Sequence, residues 1–215
     1  MKRSEKIKAV VFDVGGVLAL SRVVLKKRIR GHIIGIHEYI AKELNISLDQ
    51  YFDSIDITYS LAMEGKISKN KSLQVISRNL KISKKKLEKL YVNSYKKHFL
   101  PNKQLFKKAL ELKKRGYKIA VLSDQWYLSR EALMPKKLYN KFNLVLVSCE
   151  QGMRKPNPEF YKLLIKRLKL KPSQILFIDN QTWNIKPAKA LGIKTILFKD
   201  NKSLFRNKKW GDLFH

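Results

Sequence analysis

Residues 7–18 read IKAVVFDVGGVL, a short apolar, β-branched run that ends on an acid and passes into a glycine pair. Residues 7–13 have the composition of a strand buried on both faces, and Gly15-Gly16 marks a tight turn after it. Four further runs of this kind follow: residues 117–123 (YKIAVLS), 144–148 (LVLVS), 174–179 (QILFID) and 194–198 (KTILF). Gly116 and Gly192 lead into the first and last of these. Helical patterns separate them at 104–115, 158–168 and 184–191. Strands alternating with helices predict βαβ units, hence an α/β fold with a Rossmann-like, doubly wound parallel sheet covered on both faces.

The stretch 19–99 interrupts that rhythm with no convincing strand. Helical periodicity fits 23–44, 48–64, 69–80 and 84–98. Ser47 and Gln50 have capping-box spacing, and Ser68 and Ser83 stand where N-caps belong. So long a piece is improbable as a simple crossover. The expectation is a core from 1–18 and 100–215 with a small helical cap domain at 19–99. The cap should sit over the carboxyl ends of the strands, where open α/β sheets bind ligands.

Charge is lopsided: 47 basic residues against 17 acidic give +30. Such a field attracts anions, including phosphorylated metabolites, nucleic acid and membrane surfaces. The basic residues are spread as short groups, such as Lys84-Lys85-Lys86 and Lys113-Lys114-Arg115, on the polar positions of helical patterns. No arginine-rich stripe interleaved with aromatics marks a nucleic-acid module. No apolar run approaches the roughly 18 residues of a membrane helix, and the N-terminus does not read as a signal peptide. Cys149 is the one cysteine, which excludes an internal disulfide framework. These features predict a cytoplasmic protein.

Four strand ends carry polar residues that packing does not request: Asp13, Ser123, Lys155 in GMRKP, and Asp179-Asn180. The predicted topology brings them to one rim of the sheet. A carboxylate, a hydroxyl, a cation and a carboxylate/amide pair suit transfer of an anionic group, with a divalent metal offsetting charge repulsion.

Phe12–Leu18, Ser123 in VLSDQ, Lys155 in GMRKPNPEFY and residues 175–198 resemble, in order and spacing, the four motifs of the haloacid dehalogenase superfamily. GMRKP and Glu64-Gly65-Lys66-Ile67-Ser68 look most like its branch of sugar-phosphate phosphatases and epoxide-hydrolase-linked phosphatase domains, which carries a helical cap. The resemblance implies a Mg²⁺-dependent phosphatase acting on a small phosphorylated metabolite. Asp13 would form an aspartyl-phosphate. Ser123 and Lys155 would hold the phosphoryl oxygens, with Gly16 and Asp124 beside them. Asp13, the Gly15 carbonyl, Asp179 and Asn180 would form the metal site, and Asn184 would orient its neighbours.

The sequence departs from the family pattern twice. Gly15 stands where family phosphatases usually carry an aspartate as general acid, a contribution of about 10²- to 10⁴-fold. Asn180 stands where a metal carboxylate is common, which implies weaker metal affinity. Two other readings follow. One is a metal-independent 2-haloacid dehalogenase, with Trp183 in the fourth motif and Arg22, Arg28 or Arg30 for the substrate carboxylate. The other is a degenerate scaffold that binds nucleic acid.

Each residue also has a plainer reading. Asp13 fits a turn, Ser123 and Asp179 fit helix caps, and Lys155 is one lysine among many. Trp126 and Trp183 fit packing positions near the cleft. His32, His37, His98 and His215 show no metal spacing, and Cys149 fits a small apolar packing role.

Overall fold

The computed structural model describes residues 5–22 and 35–215. In chain order its strands are β1 (Ala9–Phe12), β2 (Ala19–Ser21), β3 (Phe99–Pro101), β4 (Lys118–Ser123), β5 (Leu144–Val147), β6 (Ile175–Asp179) and β7 (Lys194–Leu197). Its helices are α1 (Ile36–Glu43), α2 (Leu48–Met63), α3 (Lys69–Asn79), α4 (Lys84–His98), α5 (Lys103–Lys114), α6 (Tyr127–Leu133), α7 (Lys136–Tyr139), α8 (Ser148–Gln151), α9 (Pro158–Leu168), α10 (Thr182–Ala190), α11 (Asn201–Phe205) and α12 (Lys208–Gly211). The expected helix at 23–44 is described only over α1. Arg28, Arg30 and His32 lie outside the described residues.

Five strands form one parallel sheet in the order β5-β4-β1-β6-β7. Each pairing is parallel because a helix returns the chain between neighbours. The chain fills one side of β1 first, then crosses to the other, so strand order reverses at β1. The crevice at the carboxyl end of that strand is the natural ligand site of such a sheet.

Side chains alternate across the sheet with the strand period of two. Val10 and Phe12 of β1 join one core with Ile119, Val121, Leu176 and Ile178. Leu105, Ala109 and Leu112 of α5 and Trp210 near the C-terminus cover that face. Ala9 and Val11 point the other way with Ala120, Leu122 and Phe177, under Phe160, Tyr161, Leu164 and Leu168 of α9. Phe12 and Phe177 are fully buried, and truncating either to alanine costs about 3–5 kcal/mol at such sites.

The inserted helices α1–α4 start as their sequence dictates. Ser47 Oγ accepts from Gln50 N while Gln50 Oε1 accepts from Ser47 N, a reciprocal capping box. Ser68 and Ser83 accept from the backbone N–H groups of Lys71 and Lys86. The inserted stretch does contain strand, contrary to expectation. β2 and β3 pair antiparallel, Ala19 opposite Pro101 and Ser21 opposite Phe99. Arg22 N donates to His98 O just beyond them. Three-residue strands are too short to show a period, which is why the sequence hides them.

Polar contacts tie the helical unit to the sheet side. Lys69 Nζ lies 2.7 Å from Glu131 Oε1. Arg154 Nε lies 3.3 Å from Glu64 Oε1. The Tyr127 hydroxyl donates to Ile67 O across 2.8 Å. Among the described residues, no helix is long and apolar enough to cross a membrane.

Candidate active site

Asp13 follows β1 directly, one residue beyond the register pair Phe12↔Ile178. Its backbone N–H donates to Ile178 O at 3.0 Å, so Asp13 and Asp179 stand side by side at adjacent strand ends. The turn that follows is closed by Val17 N→Val14 O, Ala19 N→Val14 O and Gly16 N→Ala19 O. Gly16 has φ +82°, and a Cβ there would come 2.3 Å from Asn180 Nδ2. Only glycine satisfies both the left-handed backbone and that close approach. Gly15 differs: a Cβ there would meet nothing within 4 Å.

Lys155 joins the two acids. Its Nζ lies 3.0 Å from Asp13 Oδ1 and 2.6 Å from Asp179 Oδ2, and its backbone N–H donates to Asp124 Oδ1 at 3.0 Å. Burial works against charge on Lys155, but Asp13, Asp179 and Asp124 outweigh it and lift its pKa well above the ordinary lysine value. Lys155 is therefore a buried permanent cation rather than one of the many surface lysines. Burial also raises the Asp13 carboxyl from 3.8 to about 6, opposed by Lys155 and assisted by repulsion from Asp179. The Asp124 carboxyl is raised too, chiefly by burial.

Both oxygens of Asp179 are occupied. Oδ1 accepts from Gln181 N at 2.7 Å and Asn184 Nδ2 at 3.2 Å, and Oδ2 accepts from Lys155 Nζ and from Asn184 Nδ2 at 3.1 Å. Asp179 thus holds the start of α10 as well as Lys155. Asn184 Nδ2 thus contacts both carboxylate oxygens of Asp179. Ser123, fully buried at the end of β4, lies near enough to Asp13 to favour its charged form. Its Oγ accepts from Gln125 Nε2 at 3.0 Å.

A cavity of about 220 Å³ opens over this floor, lined by Asp13, Gly15, Asp124, Lys155 and Asn180 from the sheet side. Tyr59 and Met63 of α2, Tyr95 of α4 and Phe99 of β3 close it from the helical unit. Trp126 is fully buried behind that wall and donates to Tyr95 Oη at 3.0 Å. Trp183 is 48% exposed and lines the cavity, so it is a cleft residue rather than a packing one. No sequence signal marked Tyr59 or Tyr95, because their place over the site depends on how α2 and α4 dock; Gln125 is instead placed by the loop after β4, two residues beyond Ser123.

Oxygen atoms fit for a hard cation are present. Asn180 Oδ1 is buried without a hydrogen-bond partner and lines the cavity with Asp13 and Gly15. Among the described residues, no group of three or more His, Cys, Asp or Glu side chains could hold a metal, so amide and carbonyl oxygens would supply most of such a site. His37 and His98 contact Tyr51 Oη and Ser94 O instead. Cys149 is buried, and burial pushes its thiol up to about 12, in keeping with packing. Arg22 is exposed and is not among the cavity residues.

The molecule is thus an α/β protein with a parallel sheet and a buried carboxylate–lysine cluster at its switch point. The chain belongs to the haloacid dehalogenase-like hydrolases, whose family model matches residues 7–192. The bifunctional epoxide hydrolase 2 of Rattus norvegicus is 34% identical over 110 residues, 49% of this chain and 20% of that one. The glyceraldehyde 3-phosphate phosphatase of Pyrococcus furiosus is 31% identical over 102 residues, 45% of this chain and 41% of that one. The chain thus matches less than half the length of these relatives. The HAD family enzyme bt-2542 of Bacteroides thetaiotaomicron, solved with magnesium and inorganic phosphate, superposes with a TM-score of 0.71 at 22% identity, over 93% of this chain and all of that one.

Proposed function

We propose that the protein is a Mg²⁺-dependent phosphatase that hydrolyses a small phosphomonoester through an aspartyl-phosphate on Asp13. The observation that carries this reading is the Asp13–Lys155–Asp179 cluster facing a cavity. The sugar-phosphate phosphatase and the magnesium–phosphate complex among its relatives support it.

Asp13, ionised above about pH 6, attacks phosphorus with one carboxylate oxygen. The ester P–O bond breaks and the leaving oxygen takes a proton from water, since no acid stands at Gly15. Water then attacks the same phosphorus, the acyl-phosphate P–O bond breaks, and the Asp13 carboxylate is restored as phosphate departs. Lys155 holds phosphoryl oxygens and neutralises charge throughout, and Ser123 donates to a further oxygen. Asp179 and Asn184 keep Lys155 in place. Asp13, the Gly15 carbonyl and Asn180 Oδ1 would hold Mg²⁺, which supplies charge neutralisation at the phosphoryl group when bound. Helices α1–α4, with residues 19–99 as a cap, exclude water from the first step and readmit it for the second.

The test is phosphate release from an aryl phosphate and a panel of sugar phosphates and nucleotides, with Mg²⁺ and with chelator. Chelator-sensitive release that disappears in Asp13→Asn is the expected result. Full activity in Asp13→Asn would sink the mechanism. Halide release from 2-haloacids and a salt-dependent gel shift check the two other readings.

A further inference from the structure

The chain leaves β4 through three polar residues in a row, Ser123, Asp124 and Gln125. Asp124 lines the cavity together with Asp13 and Gly15. Its Oδ1 accepts from the Lys155 backbone N–H at 3.0 Å, and the ammonium of the same lysine lies 3.0 Å from Asp13 Oδ1. One lysine thus touches two cavity carboxyls, Asp13 with its ammonium and Asp124 with its backbone N–H.

Next to Asp124 in the chain is a buried acceptor without a donor. Gln125 is 4% exposed and lines the same cavity. Its Nε2 is engaged by Ser123 Oγ, while its Oε1 is buried and has no hydrogen-bond partner. A buried polar atom of this kind marks a place for a water or a reacting group. Space is available beside it. A Cβ at Gly15 would meet nothing within 4 Å. The cavity of about 220 Å³ takes a water, whose share of liquid volume is roughly 30 Å³, beside a phosphoryl group.

We propose, resting on the phosphatase reading above, that Asp124 is the proton store of the reaction and acts through a water held on Gln125 Oε1. In the first step that water gives a proton to the leaving oxygen as the ester P–O bond breaks, and takes one from the Asp124 carboxylic acid. In the second step the Asp124 carboxylate takes a proton from the water attacking the aspartyl-phosphate. The hydroxyl of that water goes to phosphorus, the acyl-phosphate bond breaks, and Asp124 is a carboxylic acid again. One proton leaves and one returns in each turnover. Burial raises the Asp124 carboxyl, assisted by Asp179 and opposed by Lys155 and Arg154, the direction that a proton donor needs. Lys155 and the phenols of Tyr59 and Tyr95 line the same cavity, but their pKa values lie above the ordinary ones and they hold their protons too tightly for this task.

Three aryl esters of one shape test the assignment: p-nitrophenyl, phenyl and p-methoxyphenyl phosphate, whose leaving oxygens are increasingly basic. They are compared on the wild type and on Asp124→Asn, which keeps an oxygen for the Lys155 N–H. In the variant, kcat/KM should fall less than about threefold for the p-nitrophenyl ester, which departs with little proton help, and more than about tenfold for the p-methoxyphenyl ester. The ratio between esters is independent of how much of a preparation is folded. An equal loss on all three esters would assign Asp124 a structural role and overturn the proposal, as would no loss on any. Wild type that cleaves none of them would sink the phosphatase reading itself, and the proposal with it.

Discussion

The side-chain amide of Gln125 donates to Ser123 Oγ across 3.0 Å. A serine hydroxyl has a single proton, so a hydroxyl that accepts from Gln125 keeps that proton free to turn toward Asp13, whose charged form Ser123 favours. Gln125 is itself fixed, its N–H donating to Ser148 Oγ and its carbonyl accepting from Ser148 Oγ and Cys149 N.

The substitution Gln125→Glu removes that donor while keeping the shape. Once ionised, the introduced carboxylate would draw the Ser123 proton to itself and deprive the phosphoryl group of a hydrogen bond. Loss of about 10²-fold in kcat/KM is expected near pH 8, the usual scale for one lost donor. The ratio of variant to wild-type activity should rise as pH falls and the new carboxyl regains a proton. A pH-independent ratio would mean that Gln125 acts only through packing.

Asp13→Asn should abolish turnover and stabilise the fold. The folded pKa of Asp13 is about 6 against 3.8 for the free group. A carboxyl raised on folding adds stability that is fully present below the unfolded value and is lost as pH rises through the folded one. Above about pH 6 the wild type therefore carries a cost of up to about 3 kcal/mol that the amide avoids. Urea unfolding in chelator should show this gain at pH 7 and its disappearance below about pH 4. An equal gain at both pH values would contradict the raised pKa.

Lys155→Met leaves Asp13 and Asp179 buried with no cation between them. Removing one partner of a buried ion pair costs about 3–5 kcal/mol, and the loss should appear in urea midpoints at pH 7. Protonation of Asp13, whose pKa burial already raises, makes the penalty smaller at low pH. A surface lysine such as Lys162, 2.7 Å from Glu159 in an exposed pair, should cost under about 1 kcal/mol in the same assay.

Asn180→Asp adds a carboxylate where an unpaired amide oxygen now lines the cavity. The Mg²⁺ concentration for half-maximal activity should fall by roughly tenfold, since hard cations gain from ligand charge. In chelator the same variant should be less stable than wild type, because the new charge lies in the same cavity as Asp13 and Asp124. Unchanged Mg²⁺ dependence would remove Asn180 from the metal site.

All five strands of the main sheet were legible, because buried parallel strands write themselves as short apolar runs bounded by Gly116, Gly192 and the acids at their ends. The strand-end positions of Asp13, Ser123 and Asp179 followed from the same runs. Helix α10 starts at Thr182, earlier than the periodicity places it, with Asp179 Oδ1 accepting from Gln181 N just before it. β2 and β3 were invisible because three residues cannot display alternation. Tyr59 and Tyr95 looked like ordinary helix positions. Their place over Asp13 is set by tertiary contacts such as Trp126 to Tyr95, which one sequence does not encode locally.

The β2–β3 pair has a consequence for how such a chain can change over generations. The Arg22–His98 hydrogen bond and the ladder below it bring the two ends of a long excursion together. To the sheet, everything beyond that stem is one closed loop, whatever its length. Loop-closure entropy grows only logarithmically, about 0.6 kcal/mol for each doubling. In chain entropy, a larger or smaller excursion on the same two short strands therefore costs the sheet little, provided that the contacts of α2 and α4 with the sheet side are replaced. What enters the cleft and what happens there are free to diverge separately.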